Sequence, residues 1–461
     1  MTHRIGTVWL TGVVLTLAWG VFAFGSPWAW AYGPLLVASA TLGAAGLILG
    51  SGPLPWLVTT GLLLIGFAAS LQLLPLSIQM VERLSPNAIA IHHIYQLPLA
   101  GNLTDRLTLS IDPSRTRLGL GFLSAFGLLL LGTARMLSRD TARTLVVAIA
   151  VLGVIVALAG IIPHATFSGK VYGFFESRGG NPFGPFINKN HFAGWMLMAL
   201  PVAIGLFSAT VYRGVRNIGL TFRDRIVWLS TAGANKVLLL GFLVLTMTLA
   251  LVLALSKSGM ISFAGALGLA SSQMARRPAT RQQRAFVSGS LAFVAVVVVL
   301  WVGLDLIVSR FDTSNPIVAM SGRPAIWRDT IRIAGDFPLV GTGLNTYGVS
   351  TLFYQTALPG EHLREAHSDY LQLAAEGGIL LAVPIVLTLA AFVRTVRQRL
   401  SNDVGSIWWI RMGAITGLLA IAAQSLVEFS LQMPGNAVLC SVLCGIALYE
   451  DGAPVIDQPS V

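Results

Sequence analysis

Charge is what this chain has least of. Of its 461 residues only 11% are charged, while 55% are hydrophobic. Soluble globular domains carry roughly 25% charged residues, so a water-facing surface of ordinary extent is excluded. A membrane resolves the deficit, because lipid replaces water around the apolar side chains. Cysteine is nearly missing as well. Its two copies, Cys440 and Cys444, stand one helical turn apart on one face of the last apolar run. That is poor disulfide geometry, so both are expected to be small packed residues, and they carry no message about redox compartment. Several catalytic signatures are absent too: there is no GxGxxG, no P-loop, no H-E-x-x-H and no zinc spacing. A metal-dependent mechanism therefore has no support, and no cofactor or metal is expected. Neither an internal repeat nor a low-complexity tract is found.

What is present is a series of long apolar runs. A spanning helix needs about 20 mainly apolar residues, and candidates fall near 7–24, 32–50, 54–74, 118–136, 144–162, 191–212, 237–255, 259–274, 286–308, 370–393, 412–430 and 435–449. The expectation is an all-α polytopic integral membrane protein of about 12 transmembrane helices, a single membrane domain over 1–461 with both termini on one side. The first run lacks a clear small-residue cleavage site and reads as a retained helix rather than a signal peptide.

The net charge of +11 does not point to nucleic acid, because the basic residues form no single stripe. They gather in short clusters between apolar runs: Arg135, Arg139 and Arg143; Arg213, Arg216, Arg223, Arg225 and Lys236; Arg276, Arg277, Arg281 and Arg284; Arg394, Arg397, Arg399 and Arg411. If the spans alternate, all four clusters share one side, which the positive-inside rule makes cytoplasmic. Three substantial loops, 75–117, 163–190 and 309–369, then face outward, with six of the seven histidines on that side. The third is the longest. Within it Gly322-Arg323-Pro324 reads as a helix start, and Ile326, Trp327, Ile331 and Ala334 recur at helical spacing, as in a helix lying on a membrane surface. Pro338 to Gly343 ends that helix, and the next begins near His367 and Asp369, with Gly377 and Gly378 positioned to break it near Glu376. The tail 450–461 is expected to be disordered and cytoplasmic.

Four outward constellations carry polar chemistry. They are Gly184 to Gly194, which holds Asn188-Lys189-Asn190-His191, at the mouth of the sixth span, Ser256-Lys257-Ser258-Gly259 in a tight reversal, Gly322-Arg323 with Trp327, Arg328 and Arg332, and His367-Ser368-Asp369-Tyr370 with Glu376 two turns on. Charges at membrane depth are costly unless paired or solvated. Lys257 interrupts nearly forty almost uncharged residues; it is either an anchor snorkelling to headgroups or a cation for an anionic ligand. Arg323 and Arg328 are either surface residues of an interfacial helix or phosphate ligands. His367 is either a packed interface residue or a general base. His92 and His93 lack companions at metal spacing and read as loop residues, while His191 reads as a residue that caps or orients the sixth span.

The residues Phe186-Ile-Asn-Lys-Asn-His-Phe-Ala-Gly194, Leu255-Ser-Lys-Ser-Gly259, Gly322-Arg-Pro-Ala-Ile-Trp327, Asp336 to Tyr347 and Ala366 to Gly378 together resemble the O-antigen ligase and polymerase superfamily of bacterial membrane glycosyltransferases. The resemblance covers a core region over 186–378. It implies a C-type glycosyltransferase fold with a large periplasmic loop containing short helices, in the bacterial inner membrane. It also implies transfer of a glycan from an undecaprenyl-diphosphate-linked donor to a hydroxyl of lipid A–core or of a growing polysaccharide, with membrane lipid but no nucleic acid as partner. The family pattern H-[N/S/Q]-x9-G is met by His367, Ser368 and Gly378, which gives His367 the role of base or orienting group for the acceptor hydroxyl. Lys257 stands where the family often has arginine; an ammonium holds a diphosphate without the bidentate fork. Lys257, Arg323 and Lys189, with Arg178 or Arg328, are expected to neutralise the leaving diphosphate, and Asn190 and Glu376 complete the substrate-binding set. Attack in line would invert the anomeric centre. Inside the family, ligase and polymerase are not separable on sequence. A transporter or flippase would place ionisable groups near the bilayer midplane; here Asp305 and Glu428 lie near outer ends and Glu376 near a Gly-Gly pair.

Overall fold

The computed structural model describes residues 2–95, 106–164, 170–176, 181–215, 230–275, 322–358 and 360–450. They form fifteen α-helices in chain order: α1 Thr2–Phe22, α2 Ala29–Leu49, α3 Trp56–Leu71, α4 Ile78–Leu84, α5 Pro86–Tyr95, α6 Pro113–Met136, α7 Arg139–His164, α8 Lys189–Val215, α9 Ala232–Leu253, α10 Lys257–Ala275, α11 Arg323–Asp336, α12 Tyr347–Tyr354, α13 Asp369–Asn402, α14 Ser406–Gln424 and α15 Pro434–Leu448. Eight of these (α1, α2, α6, α7, α8, α9, α13 and α14) are long and apolar enough to cross a membrane, and α3 and α15 are shorter apolar helices. The chain is a multi-pass helical membrane protein. The expected eighth span falls on α10, which is less apolar, and the ninth, 286–308, lies outside the described residues, as does 309–321 of the third loop. The all-α expectation needs one amendment: two antiparallel ladders of two residues a side pair Leu76–Ser77 with Arg106–Leu107 and Lys170–Val171 with Phe175–Glu176.

Glycine lets the helix backbones touch, as small residues do in membrane bundles. A Cβ on Gly43 of α2 would stand 2.4 Å from the Leu128 carbonyl carbon of α6, and one on Gly413 of α14 would stand 2.6 Å from the Pro201 oxygen of α8. Helix α8 is almost entirely buried, and its N-terminus delivers Asn190 to the site described below.

The first and third loops fold together. Val81, Ala88, Ile91, Leu107 and Ile111 of the first share a hydrophobic cluster with Ile333, Phe337, Val340 and Tyr347 of the third and Ala375 of α13. His92, expected as a loop residue, is buried on α5 with Nε2 3.0 Å from the Thr108 oxygen. Burial pulls its pKa down, only partly offset by that contact.

Helix α13 begins and breaks where the sequence indicates. Ser368 caps it, its Oγ accepting from Leu371 N at 3.4 Å. Gly378 leaves helical geometry at φ 53°, ψ −157°. The turn after α11 docks into that break: Gly343 N donates to the Glu376 oxygen at 3.0 Å and Ile379 N donates to the Pro338 oxygen at 2.9 Å. Gln72, from the end of α3, ties the junction by donating to the Val340 and Glu376 oxygens at 2.7 and 3.0 Å.

At the other end of the bundle, Arg411 is not the surface charge the topology argument assumes. It is 1% exposed, bonds Asp403 at 2.6 and 3.2 Å and donates to the Ala447 and Tyr449 oxygens at 2.7 and 3.0 Å. Nearby, Arg399 pairs with Glu450; the remainder of the expected disordered tail, 451–461, lies outside the described residues.

Candidate functional site

Three helix beginnings and one short turn converge on a single buried carboxylate. Glu428 lies between α14 and the 3₁₀ turn Ser430–Gln432, with its side chain 1% exposed. Its Oε1 accepts from Arg323 Nη2 at the start of α11, from Asn190 Nδ2 at 2.7 Å at the start of α8, and from Ser258 Oγ at 3.5 Å at the start of α10. Ser256 Oγ donates to Asn190 Oδ1 at 2.8 Å, which fixes the amide so that its NH₂ points at Glu428. The other carboxylate oxygen, Oε2, lies 4.0 Å from His367 Nδ1. Both atoms are buried and neither has a hydrogen-bond partner among the described residues.

The backbone around His367 is held in an uncommon state. His367 has φ 51°, a left-handed conformation that costs a non-glycine residue of order 1 kcal/mol and tends to mark functional positions. Two residues on, Asp369 is anchored through both its backbone and its side chain: Asp369 N donates to the Ser425 oxygen at 3.0 Å, and Ser425 Oγ donates to Asp369 Oδ2 at 2.7 Å. The imidazole meets Phe429 edge-on with centroids 4.8 Å apart, and His191 meets the same ring at 4.6 Å. The His367 side chain keeps 30% exposure, so a reactant can reach it.

Electrostatics match the geometry. Burial alone pushes the Glu428 carboxyl upward, but His367 and the Arg323 guanidinium outweigh that and hold it below the usual carboxylate range. The carboxylate is therefore ionised at neutral pH and neutralises the charge gathered around it. Arg323 spends one of its five donors here and keeps 24% exposure.

The structure brings His367, Arg323 and Asn190 together and sorts the other expected residues differently. Lys257 sits between Ser256 and Ser258, both bonded into the cluster. Lys189 adjoins Asn190 in sequence but lines a separate cavity of about 300 Å³ with Lys170, Asn181 and Leu255. Arg328 is exposed, and among the described residues no hydrogen bond or ion pair joins it to the cluster. Arg178 lies outside the described residues. Glu376 lies apart from the cluster: it is buried, accepts from Asn345 N at 2.7 Å, Tyr347 N at 3.0 Å and Gln372 Nε2 at 3.2 Å, and lines a different cavity. Through two backbone amides at the start of α12 this carboxylate fastens a loop. Glu428 is the residue that sequence reasoning underused. It is the only charged residue between Arg411 and Glu450, the same isolation that singles out Lys257.

Residues 242–386 match the O-antigen ligase family model. The match bears out the resemblance drawn from the sequence motifs and supports a membrane glycosyltransferase-like activity of ligase or polymerase type. No curated protein matches the chain. The matched O-antigen ligase segment contains Ser256, Lys257, Ser258, Arg323 and His367, whereas Asn190 and Glu428 come from outside it. The cluster is thus completed by two flanking parts of the bundle.

Proposed function

We propose that the protein transfers a glycan from an undecaprenyl-diphosphate donor to an acceptor hydroxyl at the periplasmic face of a bacterial inner membrane, without a metal and with inversion. The observation that carries this reading is the meeting of His367, Arg323 and Asn190 on buried Glu428. Glu428 favours the tautomer with the proton on Nδ1 of His367, leaving Nε2 as the base; a carboxylate orients a catalytic imidazole in this way. The separation of 4.0 Å is loose, as catalytic contacts often are before substrate binds. The acceptor oxygen attacks the anomeric carbon and its proton passes to His367. The bond to the diphosphate breaks with its electron pair, and Arg323 and Lys257 stabilise the released charge. Glu428 is a positioning residue here, holding both the base and the guanidinium.

The test is a transfer assay with purified protein in lipid nanodiscs, a lipid-linked glycan donor, and EDTA present. His367→Ala should lower kcat by about 10²–10⁴-fold, the usual contribution of a general base. Full turnover by His367→Ala would remove the base assignment, and a requirement for metal would remove the cation assignment. Ligase and polymerase separate in a deletion strain: loss of a ligase leaves long lipid-linked glycan beside bare lipid A–core, and loss of a polymerase leaves single repeat units.

A further inference from the structure

A second cleft lies behind the catalytic cluster, and no part of the reading above uses it. Its lower part is an apolar cavity of about 400 Å³ between α3, α6, α13 and α15, walled by residues such as Leu62, Phe126, Gly127, Leu130 and Ile385. Its upper part is a polar cavity of about 460 Å³ that includes Asp112, Arg115, Arg364, Glu365 and Gln372. The two parts share Phe122, Asn345, Gln432 and Pro434, so they are one space with a greasy floor and a polar mouth. Each part lies in the range that holds a small ligand.

The wall between this cleft and the catalytic cluster is one residue layer thick in sequence. Glu428 and Phe429 face His367, while Leu431, Gln432 and Pro434 face the cleft. On the first turn of α13, Gln372 lines the polar mouth while its Oε1 accepts from the backbone of Ala366, the residue before His367, at 3.1 Å. The mouth also offers donors and acceptors of both signs. Arg115 and Arg364 make no ion pair among the described residues, and burial raises the Glu365 carboxyl despite the nearby His367 and Arg364. Mixed donors and acceptors suit the hydroxyls of a sugar better than a bare phosphate, which would call for cations alone.

We propose that this cleft binds the acceptor as a lipid-linked sugar, its chain on the apolar floor and its sugar in the polar mouth, on the opposite side of the wall from the cations that take the donor diphosphate. The assignment of this occupant as acceptor rests on the glycosyl-transfer reading; the binding of a glycolipid does not. A cleft on one side of the base and cations on the other allow donor and acceptor to be bound at once.

Gly127 gives the test its handle. It lines the apolar floor, and a Cβ there meets only Leu62 Cδ1 at 4.0 Å. A larger side chain at 127 therefore fills the cavity without striking backbone. The probe is a photoreactive glycolipid with a diazirine in its chain and a disaccharide head, applied to the full-length protein in nanodiscs. Cross-links should map to α6 and α15. Gly127→Phe should reduce them by about tenfold, as loss of a well-filled apolar site implies, while Gly127→Ala should leave them intact and serve as the folding control. Arg364→Ala should weaken labelling by the glycolipid and leave labelling by a phosphatidylglycerol of the same chain unchanged. Undiminished labelling of Gly127→Phe overturns the proposal. So does phosphatidylglycerol labelling of α6 and α15 that the glycolipid fails to displace. The two readings fail separately: His367→Ala with full transfer removes the base but leaves labelling in place, whereas intact transfer kinetics toward acceptor in Gly127→Phe removes the cleft and leaves the base. The expected kinetic signature of Gly127→Phe is an acceptor KM raised about tenfold with donor KM unchanged.

Discussion

At the scale of single residues the chemistry depends on Glu428. It is buried, ionised and shared by a guanidinium, an amide and an imidazole. Glu428→Gln keeps an acceptor but loses the charge that steadies both His367 and Arg323. The expected result is kcat lowered by about 10–100-fold, in the range seen when a partner that orients a reacting group is removed, with donor KM rising less. Glu428→Ala restoring wild-type kcat would show that the carboxylate does no more than pack. A pH test is independent of turnover. Because the folded carboxyl lies below its ordinary range, the stabilisation it gives is fully present above the unfolded value of about 4.3. It is lost as pH falls through the lower folded value. Thermal unfolding of wild type should therefore fall off on the acid side, and Glu428→Gln should show a shallower decline there. Identical acid limbs in the two proteins would contradict the assignment. Glu428 was legible in principle, since the isolation argument applied to Lys257 applies equally to it. Its partners were not, because Arg323 is 105 residues away and Asn190 is 238 residues away.

At the scale of elements, the junction between the end of α11 and the break in α13 decides whether the site stays assembled. The sequence shows the break, because paired glycines after Glu376 interrupt an apolar helix. It does not show what fills the break, because Gln72 reaches Glu376 across 304 residues. Charge and position in the sequence single out Glu376 as a substrate ligand, and its hydrogen bonds add a fastening role that the sequence does not show. Two substitutions separate the roles. Gly378→Ala forces a Cβ to within 2.7 Å of Gly341 N and the Pro338 oxygen at a left-handed φ. It should cost at least about 2 kcal/mol and lower transfer through loss of folded protein. Glu376→Gln retains one acceptor oxygen for two amides and should cost about 1–3 kcal/mol of stability. Activity per folded molecule should stay near wild type. Thermal unfolding in detergent paired with active-site-normalised turnover reads both; a drop in kcat for Glu376→Gln without loss of stability would return that residue to the substrate.

At the scale of the whole molecule, the pattern of apolar runs carries most of the architecture, because spanning length and burial of backbone groups are local requirements. Ten of the expected spans fall on apolar helices of the bundle. The joint core of the first and third loops is not local in that sense, since Val81 and Ile333, far apart in the chain, share one cluster. Sidedness is the remaining property that a whole-molecule experiment reads directly. The basic clusters put the loop that carries His367 opposite the end of α13 that carries Arg394 and Arg397. Glu361 and Gln398 are both exposed, one before the start of that helix and one near its end. With Cys440 and Cys444 replaced by alanine, a cysteine at 361 should react with a membrane-impermeant maleimide once the outer membrane is opened, leaving the inner membrane sealed. A cysteine at 398 should react only after the inner membrane is permeabilised. The reverse pattern would place His367 in the cytosol, where a periplasmic acceptor never arrives, and would end the glycosyl-transfer reading while leaving the geometry of the cluster untouched.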